Sequence, residues 1–114
     1  MDARLVIDSL AALAQESRLL IYRVLVEAGP TGLSVGEIGS SLRVAPATLS
    51  FHLKQLSHAG LVTSRQDGRY IFYSANFGRM NDLIAYLTHN CCVRDGMSCG
   101  PAVRAINPRR IHEK

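Results

Sequence analysis

The sequence predicts a mainly α protein with one small β element, an α+β chain of four helices, a two-stranded hairpin and a fifth helix, within 114 residues. Three observations carry that prediction. The stretch from Ala45 to Leu61 holds the start, face and stop signals of one short helix. Asp67-Gly68 stands between two runs of β-branched and aromatic residues, the pattern of a tight hairpin. On either side, apolar residues recur at helical spacing, before Gly29 and again between Phe77 and Leu87.

From Ala3 to Ala14 the residues Leu5, Val6, Ile7, Leu10 and Leu13 cover more than one helical face, which exceeds what a lone surface helix buries. A subunit contact is expected to absorb the surplus. Glu16 to Ala28 forms a second helix with Leu20, Ile21, Val24 and Leu25 inward, stopped by Gly29 and Pro30. Arg18 and Arg23 are expected in solvent or on phosphates. Ser34 to Glu37 reads as an S-x-x-E capping box opening a helix to about Leu42, with Ile38 and Leu42 inward. Arg43 to Ala45 is then a turn. Two helices so joined have the dimensions of a helix-turn-helix.

The second of that pair begins at Pro46, whose missing N–H costs nothing at the first helical position. Leu49, Leu53 and Leu56 give it one apolar stripe. Gly60 ends it, and a left-handed Gly60 at C′ places Leu56 and Leu61 where they meet across a Schellman motif. Its other face offers small or hydrogen-bonding groups, and Ala45 at the cap leaves the first N–H groups unclaimed by a side chain. Two readings fit, a surface for a DNA groove or an ordinary solvated face, and the surrounding elements favour the first. The candidate DNA contacts are Pro46, Ala47, Thr48, Ser50, Phe51, His52, Lys54 and Gln55, joined by Arg65 and Arg69. Within this set His52 adjoins the leucine stripe and is expected to be hydrogen-bonded inside the helix-turn-helix. His58 complements the helix dipole.

Leu61 to Thr63 and Tyr70 to Tyr73 flank Asp67-Gly68 and form a wing with a type I′ turn. Arg65 and Arg69 sit beside its tip, where they can follow the DNA backbone or simply keep an exposed hairpin soluble. Asn76 caps the last helix, whose Phe77, Met80, Leu83, Ile84 and Leu87 make an apolar face through His89. That face, with Leu5, Leu10 and Leu13, is assigned to a homodimer interface. Gly96, Gly100, Pro101 and Pro108 then break all periodicity, and a mobile tail is expected from about Pro101. The chain divides into a winged helix-turn-helix DNA-binding and dimerisation domain, residues 1–92, and a cysteine-containing loop and tail, residues 93–114.

A formal charge of +4 permits a nucleic-acid partner without requiring one. There is no internal repeat and no signal-peptide pattern, and the apolar run Leu19–Val26 is broken by Arg23, so a soluble cytoplasmic protein with no membrane partner is expected. No H-E-x-x-H, P-loop, dinucleotide fingerprint or nucleophile elbow is present, so an enzyme is not expected. An arsenical-processing enzyme built on the cysteines is the alternative of a different class, and it would leave wing and reading helix without a purpose.

The three cysteines, Cys91, Cys92 and Cys99, are an odd number crowded into nine positions, which argues for thiols over a disulfide framework. Successive helical residues point about 100° apart, so Cys91 and Cys92 share one ion only if the helix ends near Asn90. Gly96 then lets the chain turn back to bring Cys99 to the same point. Three thiolates in a pyramid suit arsenite or antimonite, As(III) or Sb(III). Zinc with His89 as a fourth ligand, other soft ions such as copper(I), cadmium, lead or mercury, and a thiol redox switch also fit these residue types.

The order helix, helix, helix-turn-helix, wing, helix, with the phrases TLSFHLKQLSHAGLV and GRYIFYS, resembles the ArsR/SmtB family of metal-responsive winged-helix repressors from about Leu10 to Cys92. The resemblance implies a homodimer built on the first and last helices. It implies binding to a palindromic double-stranded DNA operator, release of that operator when effector binds, and no catalytic cofactor. One family site uses Cys-x-Cys in the helix before the reading helix, where this chain has Ser34, Val35 and Gly36. Another places Asp and His along the last helix, where Asp82 has no His two places on and His89 is left with His112 and Glu113. Cys91, Cys92 and Cys99 resemble instead the arsenic-sensing subgroup, which implies As(III) or Sb(III) as effector.

Overall fold

Ser34 and Glu37 close both halves of the capping box: the Ser34 N–H donates to Glu37 Oε1 at 2.8 Å and the Glu37 N–H to Ser34 Oγ at 3.2 Å. This and the other elements are seen in a computed structural model that describes residues 1–94. In chain order they are α1 (Ala3–Leu13), α2 (Glu16–Ala28), β1 (Leu33–Ser34), α3 (Val35–Leu42), α4 (Pro46–His58), β2 (Val62–Asp67), β3 (Tyr70–Ala75) and α5 (Phe77–Leu87). Five helices surround a small antiparallel sheet of order β1-β3-β2, which is the winged helix-turn-helix architecture.

Each helix end has a local cause. Asp2 caps α1 by accepting from the Leu5 N–H, Gln15 caps α2 through the Arg18 N–H, and Asn76 caps α5 through the Arg79 N–H. At the end of α4 the Leu61 N–H donates to Leu56 at 3.0 Å and the Gly60 N–H to Ser57 at 2.9 Å, with Gly60 at φ 77°. These are the two bonds of the Schellman motif that the sequence predicts.

The core joins Ile21 and Leu25 of α2, Ile38 of α3, Leu49, Leu53 and Leu56 of α4, and Leu61, all essentially closed to solvent. Full burial of each such side chain is worth about 1.5–3 kcal/mol, so α4 is held mainly by its own leucine stripe. Ser9 Oγ, Tyr22 Oη and His52 Nδ1 are buried with no hydrogen-bond partner among the described residues.

The structure departs from the sequence-based expectations in several places: on α2, Leu20, expected inward with Ile21 and Leu25, is 51% exposed. The two-residue β1 pairs with β3, Leu33 opposite Tyr73 and Ser34 opposite Phe72, so the wing has a third strand. Asp67 pairs with Tyr70, which makes Gly68 and Arg69 the turn residues instead of Asp67 and Gly68. Only Gly68 of the two has a positive φ, as type II′ requires, whereas type I′ needs both. The dimer set is split: Leu83 is buried inside the protomer, and Leu13, Phe77 and Met80 pack against its core. Part of the α5 face is used within the protomer, where Phe77 and Met80 pack against the core cluster that includes Leu61 and Ala75. Finally, Arg18 is half-buried and donates through Nε to the Ala12 carbonyl at 2.6 Å, tying α2 to the end of α1. Among the described residues no helix is long and apolar enough to cross a membrane.

Candidate nucleic-acid interface and thiol cluster

Pro46, Ala47, Thr48, Ser50, Phe51, Lys54 and Gln55 are all exposed on α4. Ala45 makes no side-chain cap bond, as its methyl group dictates, and no side chain claims the first N–H groups of the helix. His52 differs from its neighbours. It is only 7% exposed, and it therefore leaves the set of side chains that can reach DNA. Its Nδ1 makes no hydrogen bond among the described residues, contrary to the expected internal bond, although the ring meets Phe51 edge to face with centroids 5.6 Å apart. Burial lowers the His52 pKa, and the Arg18 guanidinium lowers it further. The imidazole is thus held neutral against the leucines.

Gln55 lies further along α4 and faces another way. With Asp8, Arg18 and His58 it lines a groove of about 440 Å³ between α1 and α4. The exposed residues nearer Pro46, from Ala47 to Lys54, form the more continuous face.

The two wing arginines are not equivalent. Arg65 stands opposite Phe72 in the strand register, lies 4.9 Å from that ring's centroid, and donates through Nη1 to the Thr31 carbonyl at 2.9 Å. It is not at the tip, and its guanidinium is spent on fastening the wing to the loop before β1. Arg69 is at the tip and makes no ion pair among the described residues. It lines a groove of about 360 Å³ between wing and helix-turn-helix, together with Ser34, Ser50, Tyr70 and Tyr73. Sequence reading passed over the two tyrosines as strand formers.

The helix α5 ends at Leu87, a little earlier than the expected stop near Asn90, and turns carry the chain on to Arg94. Thr88 Oγ1 donates to the Ile84 carbonyl at 2.7 Å, which satisfies one of the last helical acceptors. Asn90 at φ 58° and Cys92 at φ 64° then bend the backbone out of helical geometry. As a result Cys91 Sγ and Cys92 Sγ lie 3.1 Å apart, both half-buried. That is well beyond the ~2.05 Å of a disulfide bond. Cys99, His112, Glu113 and the expected tail lie outside the described residues. Among the described residues no three His, Cys, Asp or Glu side chains converge as a metal-holding group. His89 is exposed and shares a shallow groove with Asp82, Tyr86 and Met1.

A family model described as a helix-turn-helix domain matches residues 13–65, from the end of α1 into β2. The transcriptional activator HlyU of Vibrio cholerae is 35% identical over 83 residues, 73% of this chain and 74% of that protein. The arsenical resistance operon repressor of Bacillus subtilis is 33% identical over 82 residues, 72% of this chain and 74% of the repressor. The solved structure of an ArsR-like transcriptional regulator from Rhodococcus superposes with a TM-score of 0.68 at 29% identity, covering 81% of this chain and 84% of that one. The chain belongs to the ArsR family of winged helix-turn-helix transcriptional regulators. ArsR-family membership makes it a DNA-binding regulator and not an enzyme. A further relative, the YceK regulator of Bacillus subtilis, is 43% identical over 63 residues, so the match spans 62% of its length.

Proposed function

We propose that the chain is a homodimeric repressor that binds a palindromic operator and lets it go when As(III) or Sb(III) is held by Cys91, Cys92 and Cys99. The observation that carries this reading is the 3.1 Å approach of the two described sulfurs immediately after α5. Adjacent cysteines in a continuing helix diverge, and here the left-handed residues turn them together, as one soft ion requires. The similarity to an arsenical resistance operon repressor supports the choice of effector. The exposed Leu5, Ile7 and Leu10 of α1 and Tyr86 and Leu87 of α5 support the dimer, since they are large apolar groups with no cover in the single chain.

Reading of the operator falls to the exposed face of α4 from Ala47 to Lys54, with Pro46 setting the first turn. Ala47 and Thr48 at the start of α4 approach base edges, while Lys54 and Arg69 act through phosphates. A dimer sets two such helices about 34 Å apart, one turn of duplex. Cys91, Cys92 and Cys99 would hold the metalloid, which would supply bonds to three thiolates. Arg79 and Asn76, bonded to the Ala59 and Gly60 carbonyls, carry any shift of α5 to the neighbouring end of α4.

The test is a titration of the operator complex with arsenite, antimonite, cadmium and zinc, repeated for Cys91→Ser, Cys92→Ser and Cys99→Ser. Arsenite or antimonite should release DNA from the natural chain, and each single serine variant should bind DNA normally yet fail to release it. Release by zinc and not by arsenite would overturn the effector assignment. So would an undiminished arsenite response in a triple Cys→Ser variant. Release by a thiol oxidant alone would make the cluster a redox switch.

A further inference from the structure

We infer that one backbone phosphate of the DNA is gripped jointly by the reading helix and the wing, with Ser50 and Arg69 on either side of it. The inference rests on the reading of the chain as a DNA-binding regulator and goes further, to a residue pair and a single phosphodiester. Ser50 of α4 and Arg69 of the β2-β3 turn belong to different elements, yet both line the same groove of about 360 Å³. The turn geometry explains why. With Gly68 rather than Asp67 taking the first turn position, Arg69 falls at the second, beside Tyr70 at the start of β3.

The chemistry of the groove fits a phosphodiester. Arg69 brings a cation that makes no ion pair among the described residues, and a guanidinium offers paired donors matched to two phosphate oxygens. Ser50 is exposed and carries a hydroxyl that can donate. Tyr70, 64% exposed, and Tyr73 add two phenolic groups to the same lining, while Leu53 and Ile71 supply apolar surface against which a sugar can rest. No carboxylate lines the groove. An anion entering it meets hydroxyl and guanidinium donors from both elements, while the Glu37 carboxylate near its edge is already bonded to the Ser34 N–H.

A shared phosphate makes a prediction that two separate phosphates do not. If Ser50 and Arg69 hold the same group, removing either one loosens it for the other, and their losses fail to multiply. The full-length chain would first select a duplex from a randomised 30-base-pair pool. Affinity for that duplex would then be measured for the natural chain, Ser50→Ala, Arg69→Gln and the double variant. Each single change should weaken binding about 10-fold, in the range of a charge-assisted hydrogen bond. The double variant should lose about 10- to 20-fold and not the ~100-fold of independent contacts.

A second arm uses neutral methylphosphonate linkages placed one at a time along the selected duplex. One position should weaken the natural chain and have little further effect on either Ser50→Ala or Arg69→Gln. Multiplicative losses, or methylphosphonate positions that differ for the two variants, would overturn the joint grip while leaving DNA binding intact. Failure of the chain to select any duplex would overturn the DNA-binding reading itself and the joint grip with it.

Discussion

The guanidinium of Arg79, on α5, donates through Nη1 to the carbonyl of Ala59 at 3.2 Å and lies directly against Gly60. A cation thereby caps the C-terminal end of the reading helix, where the dipole favours positive charge. Asn76, three residues before it, donates through Nδ2 to the Gly60 carbonyl at 3.0 Å. The start of α5 and the end of α4 are joined by side chain and backbone together. A displacement of one helix is felt by the other.

A side chain at Gly60 would have to displace the Arg79 guanidinium. A Cβ there would approach Arg79 Cζ to 2.8 Å, and its φ of 77° is itself unfavourable for other residues. Gly60→Ala should therefore lower stability by about 1–2 kcal/mol for the left-handed backbone, and more if Arg79 is pushed aside. Urea melts of Gly60→Ala, Arg79→Ala and the double variant check this. The double variant should lose less than the two singles combined, because the clash is removed with Arg79.

His52 predicts an acid-side weakness. Its pKa is lowered from the ordinary 6.5 by burial and by Arg18. Above about pH 6.5 the imidazole is neutral in both folded and unfolded chains. As pH falls below that value the unfolded chain takes up a proton first, so stability declines until folded His52 also titrates. Melts between pH 8 and pH 5 should show this decline, and His52→Leu should flatten it. An unchanged slope in His52→Leu would assign the acid sensitivity to other groups.

Leu83 and Leu87 are one turn apart on α5 but are predicted to fail differently. Leu83 is 3% exposed and Leu87 is 56% exposed. Leu83→Ala should cost about 2–5 kcal/mol through loss of packing. Leu87→Glu should leave the melting of the protomer almost unchanged and shift sedimentation from dimer toward monomer. If Leu87→Glu remains dimeric at micromolar concentration, α5 does not form the proposed contact through this residue.

Effector and operator should oppose one another by equal factors. A coupling of about 1–3 kcal/mol corresponds to a 5- to 150-fold change in affinity, and linkage demands that DNA weaken arsenite binding by the same ratio. Calorimetric titration of arsenite into free protein and into the DNA complex measures that ratio directly. Equal arsenite affinities in the two states would remove allostery from the proposal.

Where sequence reading succeeded, the information was local. The capping box at Ser34 and Glu37, the Schellman end at Gly60 and the Asn76 cap each depend on residues within a few positions of one another, and all are formed as the letters imply. Partnerships across the chain were less legible. Leu33 and Ser34 carry too short a run to announce a strand, and their pairing is decided by β3 forty residues later. The spacing of Phe77, Met80 and Leu83 marks an apolar face but not whether it meets its own core or another subunit. Arg65 looked like a tip residue because the turn was placed one position early. Its bond to Thr31, like the bond of Arg18 to Ala12, is made by a long side chain reaching a backbone carbonyl, which periodicity does not record.

The end of α5 at Leu87 has a consequence for how such a regulator can diversify. The residues that close the core, Phe77, Met80 and Leu83, all precede that point, while Cys91 and Cys92 follow it in turns. Under the proposed function, a different donor set grafted after Thr88 would leave these core contacts in place, so the sensing segment could be exchanged on the same winged-helix chassis.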